Sequence, residues 1–166
     1  SGFTYPVLCY GNILWKDYNL DVTLTPYDRS DLNGIIFRYS DGRHYYLFGL
    51  DNDEKATLRY RDGEKGFRED GWHILASGKY STDPARSYKL RVEVKGTNIH
   101  CLIDGQTIFN VEDNRYPGGK AGLFATCPVA FHEVRVTASL RSKEDYMFEK
   151  KAHEAELTEL RSGNPT

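Results

Sequence analysis

The chain is poor in the residues that staple or anchor a small protein. Its 166 residues include three cysteines, Cys9, Cys101 and Cys127, and a single methionine. An odd set of three thiols cannot form a disulfide framework, so the fold must rest on an apolar core. No CxxC pair and no Cys/His ligand spacing occurs, which leaves no zinc motif. Cys101 alternates with Ile99 and Ile103 and reads as a small buried hydrophobe. Cys9 and Cys127 would meet only if the terminal strands are neighbours, and free thiols are the expected state. No apolar run approaches the roughly 18 residues that a membrane span needs, and no signal-peptide pattern is visible. The opening Ser-Gly-Phe-Thr-Tyr-Pro carries no initiating methionine, as expected of a processed or excised fragment. Charge of either sign is also scarce in excess: the net value is −2, with no Lys/Arg block, which argues against a nucleic-acid surface.

Aromatic residues are what the chain does have. Twelve Tyr and eight Phe accompany two Trp, and hydrophobic residues make up 39% of the whole. A phenol is apolar at one end and hydrogen-bonds at the other, so Tyr suits half-buried strands and sugar or protein surfaces. With 28% charged residues the composition is that of one soluble globular domain.

The stretch from Asn33 to Leu50, NGIIFRYSDGRHYYLFGL, reads as a β-hairpin about the Asp41-Gly42 pair, a type I′ signal. A two-residue loop there sets Ser40 opposite Arg43, Phe37 opposite Tyr46 and Ile35 opposite Phe48. A three-residue loop would shift every pair. One face then carries Ile35, Phe37, Tyr46, Phe48 and Leu50 toward a core. The other carries Ile36, Arg38, Tyr45 and Leu47.

Period-2 alternation recurs elsewhere. Tyr18, Leu20, Val22 and Leu24 point inward from DYNLDVTLT, and Tyr88, Leu90, Val92 and Val94 from SYKLRVEVK. Leu58 and Tyr60 point inward from ATLRYRD, leaving Arg59 and Arg61 outward. Further strands follow in Trp72 to Leu75, NIHCLID, QTIFNVED, KAGLFAT and AFHEVRVTAS, separated by Gly, Asp and Asn turns. Short strands at such intervals predict a β-sandwich or jelly roll. Beyond residue 140 the character changes. A capping-box pattern at Ser142 to Asp145 starts a charged stretch that reaches Arg161 without Gly or Pro, and Gly163 and Pro165 follow. Residues 1–140 are therefore expected to form the sandwich and 141–166 a C-terminal α-helix and linker stub.

In order, the segments WKDYNLDVTL, GIIFRYSDGRHYYLFGL, YKLRVEVKGTNIHCLIDGQTIF, GGKAGLFAT and AFHEVRV resemble the concanavalin A-like, laminin-G-like jelly rolls of bacterial carbohydrate-active proteins. The resemblance covers about residues 12 to 138 and is nearest to fructan-type carbohydrate-binding modules and to accessory domains of polysaccharide lyases and glycosidases. It implies an all-β antiparallel sandwich. The LRSGNP ending is similar to the connector that precedes a catalytic domain in rhamnogalacturonan-lyase-like proteins. Relatives often place an Asp after the Phe of the last strand, where it helps to hold a structural calcium. Here His132 and Glu133 follow Phe131, so Glu133 and Asp17 would have to supply the oxygens. No cofactor is expected.

The expected ligand-binding residues are Arg38, Tyr45, Arg59, Arg61 and Trp72. Guanidinium groups bind carboxylates through paired hydrogen bonds and a phenol stacks on a sugar ring, so the set would suit an acidic sugar such as a uronate end. The competing expectation is that these arginines are solvated on a convex face. Trp72 beside His73 is either a sugar platform or a core anchor. Glu93 with Arg91 is the best acid for catalysis, yet no E-x-D-x-E carboxylate set accompanies it. Arg38, Tyr45 and His100 would be the residues of a lyase-type set, with no motif tying them together. No catalytic residue is assigned. The expected function is a noncatalytic carbohydrate-binding module of an extracellular or cell-surface polysaccharide-degrading protein, of pectin or rhamnogalacturonan type. Its partners would be a polysaccharide and a linked downstream catalytic domain, with no nucleic acid or membrane. The alternatives are a jelly-roll hydrolase or lyase, and a laminin-G-like structural domain that binds no sugar.

Overall fold

Alternating strands bury one face only if a second sheet covers it, and the chain supplies two. The computed structural model describes residues 7–27, 32–52, 54–63 and 71–138. Eleven strands run through them: β1 (Val7–Tyr10), β2 (Tyr18–Pro26), β3 (Asn33–Asp41), β4 (His44–Asp51), β5 (Lys55–Asp62), β6 (Trp72–Lys79), β7 (Tyr88–Lys95), β8 (Asn98–Ile103), β9 (Gln106–Glu112), β10 (Lys120–Ala125) and β11 (Val129–Thr137). They form a six-stranded sheet in the order β1-β10-β3-β4-β5-β6 and a five-stranded sheet in the order β11-β2-β7-β8-β9. All pairings are antiparallel. This is the all-β sandwich the sequence predicts. The predicted C-terminal helix and the boundary at residue 140 lie outside the described residues.

Tyr18, Leu20, Val22 and Leu24 of β2 and Tyr88, Leu90, Val92 and Val94 of β7 meet Ile35, Phe37, Tyr46, Phe48 and Leu58 of the larger sheet. Cys101 lies fully buried among them, and no disulfide joins it to Cys9 or Cys127. The rings of Phe37 and Tyr46 stack at 5.3 Å. The larger sheet is buried on its other side as well, where Leu32, Ile36, Tyr45, Leu47 and Phe124 form a second cluster. Its central strands therefore read as unbroken apolar runs, not as alternation.

The β3–β4 hairpin departs from its predicted turn. Phe37 does pair with Tyr46 and Ile35 with Phe48, but Asp41 stands opposite His44. The turn residues are Gly42 and Arg43, neither with positive φ. The Asp41 carboxylate accepts the Arg43 N–H at 2.7 Å, so an Asx turn replaces the type I′ turn. The extra chain length is absorbed by an irregularity between Phe37 and Asp41, with Arg38 at φ 49°. Gly119 lies against this bulge at φ 145°, where an added Cβ would come within 2.4 Å of the Arg38 carbonyl carbon.

Candidate functional site

The bulge takes Arg38 off the face it was expected to share with Tyr45. Its guanidinium is buried and donates to the Lys16 carbonyl from Nε at 3.2 Å and from Nη2 at 3.1 Å. Nη1 donates to the Tyr116 carbonyl at 3.3 Å, and Nη2 reaches Asp17 at 3.4 Å. Burial lowers the pKa of this guanidinium, opposed by Tyr18 and Asp17. Arg38 closes one end of the sandwich, with its donors spent on backbone oxygens.

The other four residues do come together, on the outer face of the six-stranded sheet. Antiparallel pairing aligns them in cross-strand rows. Tyr45, Arg61 and Trp72 form one row across β4, β5 and β6, and Leu47, Arg59 and Ile74 form the next. Thr57 and Ser77 continue the pattern. Trp72 meets Tyr45 edge-on at 5.6 Å and Phe124 at 5.9 Å. The guanidinium carbons of Arg59 and Arg61 lie 5.5 Å and 5.9 Å from its ring centroid, within cation–π range. Tyr39, brought onto this face by the bulge, packs on Tyr45 at 5.3 Å. Trp72 is thus at once an anchor of the second cluster and the ring on which both arginines rest.

Burial grades across this face. Ile36, Tyr45 and Leu47 are fully buried, whereas Ile74 on the edge strand β6 is 54% exposed. Arg59 lies between these extremes. Its Nη2 donates to Asp51 at 2.6 Å and to Thr57 at 2.8 Å, and its Nε donates to Thr57 at 3.3 Å. Arg61 donates from Nη1 to the Gly42 carbonyl at 2.8 Å. The accessible part of the face is therefore the edge strand β6, with Arg59 and Arg61 of β5 buried just inside it.

The outer face of the smaller sheet carries a polar ladder, of which the sequence had paired only Glu93 with Arg91. Arg91 bridges Asp21 at 2.7 Å and Glu93 at 2.9 Å. Glu93 reaches His100 at 2.9 Å, and His100 reaches Thr107 at 2.7 Å. Arg91 holds the Glu93 carboxyl below the usual range, helped by His100 and opposed by burial. A general acid needs the reverse shift, so Glu93 is poorly suited to the catalytic role considered for it. His100 and Tyr45 lie on different sheets and Arg38 at the sandwich end, so the lyase-type set does not converge. Of the calcium candidates, Asp17 accepts the Gly96 N–H at 2.9 Å and pairs with Arg38, while Glu133 approaches Thr23. Among the described residues no group of three His, Cys, Asp or Glu side chains converges for a metal.

No family model matches the chain. Over 99 residues it is 29% identical to an extracellular exo-α-L-arabinofuranosidase of Streptomyces chartreusis, a match that covers 58% of this chain and 11% of that protein. The chain thus spans a small part of that relative's length. Its fold is similar to the carbohydrate-binding module CBM66 from Bacillus subtilis, with a TM-score of 0.65 and 19% identity over 74% of this chain and 76% of that one. It is also similar to domain 4 of an extracellular GH43 arabinanase from Geobacillus stearothermophilus, solved with arabinotriose. There the TM-score is 0.57 and the identity 12%, over 80% of this chain and 66% of that one. The two-sheet jelly-roll fold is what the chain shares with these structures.

Proposed function

We propose that this domain is a noncatalytic carbohydrate-binding module of a secreted polysaccharide-degrading protein, and that it binds sugar at the β5–β6 margin of the larger sheet's outer face. One observation carries the reading: Arg59 and Arg61 lean on a single tryptophan beside an exposed isoleucine. Sugar rings present an apolar C–H face and a rim of hydroxyls. Trp72 and Ile74 supply apolar contact, and guanidinium N–H groups supply directed donors. The extracellular glycosidase and arabinanase relatives support both the substrate class and an extracellular location. Binding would raise the effective concentration of a linked catalytic domain at its polymer. Pectic polymers of rhamnogalacturonan type stand beside arabinans and fructans as candidate ligands.

Affinity electrophoresis against arabinan, fructan, galactan and pectic polymers tests the proposal. Retardation by at least one polymer, lost in Trp72→Ala, is the expected result; no retardation by any of them overturns it. A second reading is favoured by Ile74, an apolar side chain 54% exposed on the edge strand, which suits a structural domain whose sheet margin packs on protein. On that reading no polymer retards the domain.

A further inference from the structure

Asp51 ends β4 and Arg59 lies within β5, and their side chains are joined at 2.6 Å. Resting on the sugar-binding reading above, we infer that Asp51 is a specificity-determining residue that sets the site for neutral sugars against uronates. The argument starts from the donors of Arg59. Three hydrogen bonds to Asp51 and Thr57 occupy Nε and Nη2 and fix the plane of the guanidinium beside Trp72. Among the described residues Nη1 carries no protein hydrogen bond. A largely buried guanidinium seeks an acceptor for every N–H, so the remaining one comes from solution, from water or a ligand oxygen. Ile74 is the neighbour of Arg59 across the β5–β6 pair and is more than half exposed, which gives a ligand apolar surface next to that donor.

The charge of Arg59 is already answered. Asp51 Oδ2 takes the Nη2 bond, and Asp51 Oδ1 accepts the Asn52 N–H at 2.8 Å, so the carboxylate is held in place. A ligand hydroxyl can accept from Nη1 and donate to a remaining lone pair of Asp51, and the Arg–Asp pair then grips a neutral diol. A ligand carboxylate can accept from Nη1 too, but it brings a second negative charge up to Asp51. Like charges so placed act against binding. Arginine on this face thus leads to the opposite of the uronate expectation drawn from guanidinium groups on one sheet face.

Isothermal titration calorimetry with wild type and Asp51→Asn tests this. The probes are neutral arabino-, fructo- and galacto-trisaccharides and trigalacturonate. Asn removes the charge and keeps one acceptor oxygen, which serves Arg59 Nη2 while the bond from the exposed Asn52 N–H passes to water. Wild type is expected to bind its best neutral trisaccharide about tenfold more tightly than trigalacturonate. Asp51→Asn is expected to shift that ratio about tenfold toward trigalacturonate, with a gain that fades as salt is raised. A merely structural role for Asp51 would weaken both ligands alike. A wild-type preference for trigalacturonate overturns the inference, as does an unchanged ratio in a folded Asp51→Asn; both leave the sugar-binding reading standing. Binding of none of the probes or polymers overturns that reading and the inference with it. Should Asn at position 51 fail to fold, Asp51→Ser reports the same ratio, and the wild-type preference needs no variant.

Discussion

The backbone N–H of Arg38 donates a 2.7 Å hydrogen bond to the Tyr18 hydroxyl, so the bulge in β3 is fastened to β2 of the opposite sheet. That hydroxyl donates in turn to the Gly119 carbonyl at 3.1 Å. Burial pushes the phenol pKa up, which keeps the donating proton in place. In Tyr18→Phe the buried N–H and the carbonyl both lose their partner. A loss of about 1–3 kcal/mol is expected, read as a lower urea midpoint at unchanged slope.

Arg38 and Arg59 should separate cleanly. Arg38→Met removes a buried cation that satisfies two backbone carbonyls. It is expected to destabilise the domain by about 3 kcal/mol, while the folded fraction keeps its affinity for sugar. Arg59→Gln, just inside the exposed edge strand β6, is expected to weaken sugar binding about tenfold with a smaller thermal shift. Calorimetry paired with denaturation checks both. Equal losses of stability in the two variants would return Arg59 to a structural role.

How much of this was legible beforehand depends on whether a segment buries one face or two. In β2 and β7 alternation alone assigned the core residues, since the other face is wet. In the larger sheet both faces are buried, and GIIF and YYLFGL gave the strands without showing what their second face does. The bulge was not legible, because an inserted residue needs no special side chain at its position. Arg38 therefore lies at the sandwich end and off the face expected for it, whereas parity did put Arg59 and Arg61 on the face of Tyr45, and the β5–β6 pairing adds Trp72 to them. Strand β1 escaped notice because Val7 to Tyr10 is short and pairs only with β10.

Acid should loosen the outer ladder of the smaller sheet. The folded Glu93 carboxyl titrates below its ordinary value near 4.5, chiefly because of Arg91. Its contribution is fully present above the unfolded value and is lost as pH falls through the lower, folded one. Urea midpoints between pH 5 and pH 3 are expected to fall less steeply in Glu93→Gln than in wild type. Parallel profiles would show that the ladder adds nothing measurable.

Cys101 offers a probe of opening. Burial raises its thiol pKa well above the ordinary value, so little thiolate exists in the native state. Mass spectrometry after timed alkylation at pH 8 is expected to find Cys101 the slowest of the three thiols, with label appearing only as denaturant nears the midpoint. Early labelling would mean that the sandwich opens locally at β8.

The sheet order has a consequence for how the chain assembles. Strands β3 to β6 and β7 to β9 are meanders whose pairs form between sequence neighbours. By contrast Val7 pairs with Phe124, and Leu20 with Val136. Those two closures join distant parts of the chain, and their loop entropy is met only after the meanders can act as templates. The expected folding reaction is slow and ends with β10 and β11 docking. A species halted before that step would expose the edges of β3 and β2, two apolar strands each paired on one side only, and would be the form most prone to aggregate.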